Sequence, residues 1–127
     1  MALKKLGVKF SHEFASEIDQ NCRKTIRANC KPKVLYEDMK KRNIEQVPDI
    51  DLYVCGFPCQ PFSSLRSINL QDKTKRDDRK DMVKHCYEVI ENKLPAAFVL
   101  ENVPALLSAQ SGRRFKAILS RLRKSGM

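Results

Sequence analysis

The sequence has no apolar stretch long enough to cross a membrane, so a transmembrane helix is not expected. Its opening residues place Lys4 and Lys5 where a secretory signal needs an uninterrupted apolar core, and no signal is read there. The five cysteines (22, 30, 55, 59 and 86) are odd in number and irregularly spaced. No C-x-x-C pair occurs among them, which argues against a zinc knuckle or a thioredoxin-type site. Reduced thiols in an intracellular compartment are the expectation: cytoplasmic in a prokaryote or infected cell, nuclear in a eukaryote. The four glycines (7, 56, 112 and 126) never cluster, so no glycine-rich loop is available within these residues to cradle a phosphate or cofactor. Internal repeats and low-complexity tracts are absent as well.

What remains is 127 residues, enough for one small domain. Hydrophobic content of 42% beside 31% charged residues fits a globular chain with a core. Lys and Arg number 25 against 15 Asp and Glu, a formal charge of +10. That surplus suits a polyanionic partner, because basic surface attracts phosphate backbones whatever their sequence.

Residues 1–6 read as the end of a helix with Gly7 as its C′ residue. Alternating apolar and polar residues predict a strand over 8–15. A loop over 16–19 follows, and Asp19 is an N-cap for a helix over about 20–29. A short strand is expected at 34–36, ending on Glu37 and Asp38, then a polar helical turn over 39–46. The third strand, over 50–55, is short, apolar and stopped by Gly56 and Pro58. Residues 63–78 read as a long polar loop, a length that usually carries function. A helix over about 79–93 follows, with 82, 83, 86, 89 and 90 on one face. The fourth strand is read at 96–100 and a basic amphipathic helix at about 112–125.

Strands alternating with helices predict a parallel α/β sheet with about four strands and helices on both faces. In such a sheet every strand end points the same way, and chemistry collects just beyond the carboxyl ends. Glu17, Asp38, Cys59 and Glu101 each follow a predicted strand, so all four are expected on one rim. Cys59 lies between Pro58 and Gln60-Pro61, on a loop stiffened by proline. By itself it reads equally as a small buried hydrophobe or as a nucleophile.

Gly56-Phe57-Pro58-Cys59-Gln60-Pro61-Phe62-Ser63 and Leu100-Glu101-Asn102-Val103 resemble the two most diagnostic motifs of the cytosine-5 DNA methyltransferases. Phe14-Ala15-Ser16-Glu17-Ile18-Asp19 is similar to that family's acidic cofactor loop, and Tyr36-Glu37-Asp38 stands where its next acidic strand end falls. Order and spacing agree throughout the chain, with Glu101 placed 42 positions after Cys59.

The resemblance implies an incomplete Rossmann-like methyltransferase domain over residues 1–127, using S-adenosylmethionine to methylate C5 of cytosine in DNA. Cys59 would be the nucleophile, in its thiolate form. Glu101 would hold the N3 edge of the base, best served by a buried carboxyl with a raised pKa. Asn102 would help fix the catalytic loop. For the cofactor, Glu17 would take the ribose hydroxyls and Asp38 the adenine amine, with Ile18 and Met39 against the ring. Phe57 and Pro58 would line the methionine side. Met82 matches an apolar family position near the cofactor, and ordinary helix packing explains it equally well. DNA would be the partner, with the target base flipped from the stack.

The sequence departs from the family in several respects. The first strand and its glycine-rich loop are not found in these residues, nor are the later arginine-bearing and target-recognition motifs. The strands placed at 8–15 and 50–55 would then each keep an unpaired inner edge, and such edges recruit other chains. A complementing polypeptide and marginal stability of the chain alone are therefore expected. Two alternatives stay open: an inactive fragment or nucleic-acid-binding remnant, and a relative that methylates transfer RNA. A zinc deaminase is disfavoured because Phe62 stands where its second cysteine belongs. A cysteine protease is disfavoured because nothing brings His12 or His85 to Cys59.

Overall fold

The structure is a computed structural model, and it describes residues 2–58 and 82–124. They form two compact units, Met1–Ile50 and Asp51–Met127. No helix among the described residues is long and apolar enough to cross a membrane.

The first unit opens with α1, Ala2–Lys5. The amides of Gly7 and Val8 bond back to the carbonyls of Lys4 and Leu3. Gly7 makes this termination possible at φ +71, a conformation that a Cβ would strain. Strand β1, Phe14–Ser16, pairs in parallel with β2, Val34–Tyr36, with Phe14 opposite Val34 and Ser16 opposite Tyr36. Between them lies α2, Gln20–Asn29. Its start is set by Asp19, whose carboxylate accepts from the amides of Asn21 and Cys22 at 2.8 and 2.9 Å.

The strand predicted over 8–15 is corrected to three residues. Its partner β2 is equally short, and the backbone carbonyls of residues 12 and 13 accept from the amides of Lys33 and Val34 just before the ladder. Val8 and Phe10 are exposed outside the ladder. The helical turn expected over 39–46 is reduced to a 3-10 turn, Ile44–Gln46, capped by the Asn43 side chain.

The second unit is built on β3, Leu52–Gly56, and β4, Ala97–Glu101, in parallel register from Leu52–Ala97 to Gly56–Glu101. Helix α3, Val83–Lys93, connects to β4 and is the core of this unit. Cys86, Val89 and Ile90 are fully buried, with Tyr53, Phe57, Met82, Val83 and Tyr87 buried as well. Burying a side chain such as Ile90 is worth roughly 1.5–3 kcal/mol. The sulfurs of Cys55 on β3 and Cys86 on α3 lie 3.3 Å apart, so β3 meets α3 through that face. The opposite face of the pair exposes Leu52, Val54 and Val99.

Two helices complete this unit. The short α4, Ala105–Ser108, was not anticipated from sequence, because four residues show no period. Helix α5, Arg113–Lys124, packs through Ile118. Arg121 grips Glu91 of α3 with two bonds of 2.9 Å and lies 4.5 Å from the centre of the Tyr87 ring. The mixed α/β character and parallel pairing expected from the sequence are both present, but the described strands form two two-stranded sheets, β1–β2 and β3–β4, in place of the expected single sheet of about four. The long loop placed at 63–78, and residues 79–81 of the predicted third helix, lie outside the described residues.

Candidate active site

In the second unit, parallel pairing brings the carboxyl ends of β3 and β4 side by side. Gly56 and Glu101 stand opposite each other, and a Cβ built on Gly56 would lie 3.1 Å from Glu101 Oε2. The lack of a side chain at Gly56 therefore lets the carboxylate settle over the strand end. Asn102, the next residue, donates from Nδ2 to the carbonyl of Phe57 at 2.9 Å. Its Oδ1 accepts from the amide of Val103 at 3.0 Å. One side-chain amide thus ties the end of β3 to the end of β4.

Phe57 is buried and Pro58 half-buried, which anchors the chain up to the point where Cys59 follows. Cys59 itself lies outside the described residues, as do Gln60, Pro61, Phe62 and Ser63. Glu101 is exposed, against the expectation of a buried carboxyl. Met82, just before α3, is buried in this unit, and its carbonyl accepts from the amide of His85.

In the first unit the same parallel logic gathers the ends of β1 and β2. The amide of Glu17 bonds to the carbonyl of Tyr36 at 3.0 Å, so Glu17 extends the pairing by one residue. Its Oε1 accepts from the amide of Asp19 at 2.8 Å. Asp38 is half-buried, and its Oδ1 accepts from the amide of Lys40 at 2.9 Å, which shapes the turn that carries Met39. Ile18 is 71% exposed. A cleft of about 330 Å³ opens among Ile18, Tyr36, Glu37 and Asp38, with Arg23, Lys41 and Arg42 around it.

The electrostatics here are those of a helix start. The amide of Cys22, with that of Asn21, holds the Asp19 carboxyl below the usual carboxylate range. The Asp19 carboxylate in turn pushes the Cys22 thiol up.

The sequence-predicted residues thus form two groups. Glu17, Ile18, Asp38 and Met39 gather at the strand ends of the first unit, and Phe57, Pro58, Glu101 and Asn102 at those of the second. Arg23 was not foreseen. Its Nη1 donates to the carbonyls of Glu17 and Ile18 at 3.0 and 2.6 Å, and Nη2 lies 3.5 Å from Glu37 Oε1. The signal was available, because a helical side chain leans toward the N-terminus and a long one four residues past the cap reaches the entering loop. Arg42 was also missed; it donates to Ser16 Oγ at 3.2 Å and lies 5.6 Å from the Phe14 ring centre. Among the described residues, no group of three His, Cys, Asp or Glu side chains could hold a metal ion.

Within each unit the cluster lies at the carboxyl ends of parallel strands, where chemistry collects in α/β sheets. A family model for the C-5 cytosine-specific DNA methylase matches residues 1–127. The chain belongs to that family. It is 34% identical over 117 residues to the type II methyltransferase M.BsuFI of Bacillus subtilis, covering 89% of this chain and 26% of that protein. To M.NgoBI of Neisseria gonorrhoeae it is 35% identical over 114 residues, covering 89% of the chain and 34% of the relative. To M1.ScrFI of Lactococcus lactis subsp. cremoris it is 37% identical over 110 residues, covering 86% and 27%. The chain therefore spans about a quarter to a third of the length of these relatives.

Proposed function

We propose that residues 1–127 are part of one catalytic domain that transfers a methyl group from S-adenosylmethionine to C5 of cytosine in DNA. The observation that carries this reading is the link between strand ends: Asn102 bonded to the Phe57 carbonyl, beside a Glu101 carboxylate resting on Gly56. It supports a rigid approach to Cys59, two residues past Phe57, next to a carboxylate that can address a base.

On this reading the Cys59 thiolate adds to C6 of the flipped cytosine, forming a C–S bond and pushing electron density to C5. Glu101, as the acid, donates a proton to N3 and so stabilises the adduct; as the carboxylate it accepts from the exocyclic amine. After methylation a base takes the C5 proton, the C–S bond breaks, and Cys59 leaves as thiolate. Asn102 holds the Phe57 carbonyl, at the end of the strand that leads into Cys59.

S-adenosylmethionine supplies the electrophilic methyl group when bound. The first unit's cleft suits its nucleoside half: Ile18 and Tyr36 line it beside the carboxylates of Glu37 and Asp38, and Glu17 directly precedes Ile18 in the chain. Glu17 would hold the ribose and Asp38 the adenine amine, with Ile18 and Met39 against the ring. Phe57, Pro58 and Met82 would border the methionine side. The four glycines of the sequence do not cluster, so the glycine-rich part of the cradle, with its strand, would come from another segment, whether of the same polypeptide or a complementing one.

The test is a covalent adduct with a duplex containing 5-fluorocytosine, the chain being supplied with a segment carrying the glycine loop. A cysteine-linked mass increase, lost in Cys59→Ser, is the expected result. No adduct with cofactor, duplex and both segments present refutes the reading.

A further inference from the structure

Arg23 is a cation held by three oxygens at the edge of the proposed nucleoside cleft. Its side chain is only 13% exposed. Nη1 spans two successive carbonyls, those of Glu17 and Ile18, at 3.0 and 2.6 Å, while Nη2 reaches Glu37 at the end of β2. Two adjacent carbonyls turned toward one guanidinium leave the 17–19 turn a single shape. The same turn grips the Glu17 carboxylate, because Oε1 accepts from the amide of Asp19 inside it. Turn shape and carboxylate direction are therefore linked, and Arg23 bonds to the turn at two of its carbonyls.

We propose that Arg23 is a positioning residue that presets Glu17 for the two hydroxyls of a ribose. The proposal rests on the reading of Glu17 as the ribose ligand. A planar fork of donors is required to bridge two carbonyls and a carboxylate, so a lysine ammonium, with its point charge, does not replace it. Preorganised in this way, the carboxylate meets the diol without first ordering the loop.

The test uses the 127-residue chain together with the segment carrying the glycine loop, with adenosine and 2′-deoxyadenosine as probes, read by titration calorimetry or ligand-detected NMR. The unaltered chain is expected to prefer adenosine roughly tenfold, the worth of one charge-assisted hydrogen bond. In Glu17→Gln the preference falls toward one. In Arg23→Ala it also falls toward one, adenosine losing more affinity than 2′-deoxyadenosine, and Arg23→Lys behaves like the alanine variant. Equal loss of both nucleosides in Arg23→Ala makes Arg23 merely structural and overturns the proposal. So does a preference retained in Arg23→Ala or restored by Arg23→Lys, and if Glu17→Gln has lost it, only the role of Arg23 fails. A preference unchanged in Glu17→Gln, or absent from the unaltered chain, removes the ribose role of Glu17 and the proposal together.

Discussion

Replacing Asn102 by alanine removes two bonds at once, the donation to the Phe57 carbonyl and the acceptance from the Val103 amide. A neutral hydrogen bond contributes about 0.5–1.5 kcal/mol net, and a buried group left without a partner costs about 1–3 kcal/mol. Phe57 is buried, so its carbonyl cannot turn freely to water. The expected loss for Asn102→Ala is therefore about 2–3 kcal/mol. With a urea dependence of about 1–3 kcal/mol per molar for a small domain, the unfolding midpoint falls by roughly 1 M.

Asn102→Asp sharpens the test, because its shape is nearly the same. The introduced carboxylate still accepts from Val103, but it now faces the Phe57 carbonyl oxygen with no proton between them. At neutral pH this variant is expected to be less stable than the alanine one. The opposing carbonyl raises the folded-state pKa of the introduced carboxyl above its unfolded value, since only the protonated form can donate. The contribution of that protonated form is fully present below the unfolded pKa and is lost as pH rises through the raised folded value. Urea midpoints at acid and neutral pH read this directly. A neutral-pH midpoint for Asn102→Asp equal to that of the unaltered chain, or one that does not improve in acid, refutes the claim that this amide joins the two strand ends.

Other consequences follow from single contacts. Gly56→Ala sets a methyl 3.1 Å from Glu101 Oε2, so the carboxylate must give by a few tenths of an ångström; adduct formation should fall well before the melting temperature does. Leu94 ends α3 with φ 44 while 67% exposed, so Leu94→Gly is expected to raise stability by about 0.5–1 kcal/mol, read in the same urea titration. Asp19, with its carboxyl held low by the helix amides, stabilises α2 above the ordinary carboxylate pKa and loses that effect as pH falls through its lowered folded value. Circular dichroism should show helix loss in strong acid that Asp19→Asn, a neutral cap, no longer displays.

Local chemistry was readable from the chain. Asp19 before a polar helix announced its own cap, because the bond it makes is to amides two and three residues away. Gly7 announced a left-handed helix end, and Gly56 with Pro58 announced the stop of β3. The Pro-Cys and Glu-Asn-Val motifs carried the family outright, since their meaning lies in residue type and order and needs no coordinates. Strand length was not readable in the same way. Residues 8–15 alternate as a strand should, but a ladder exists only where a partner lies opposite, and β2 offers three residues.

The sequence by itself determined which residues could do chemistry: a cysteine after a proline, a glutamate after an apolar strand, carboxylates after two others. Tertiary structure decided how they are held. That Asn102 spends its amide on the Phe57 carbonyl, 45 residues away in the chain, follows from parallel pairing and from no local rule. That Arg23 closes its fork on two carbonyls of the preceding loop required the actual path of that loop. Side-chain identity is a local property of the chain, whereas a hydrogen bond needs both partners brought within about 3 Å, and only the fold supplies that distance.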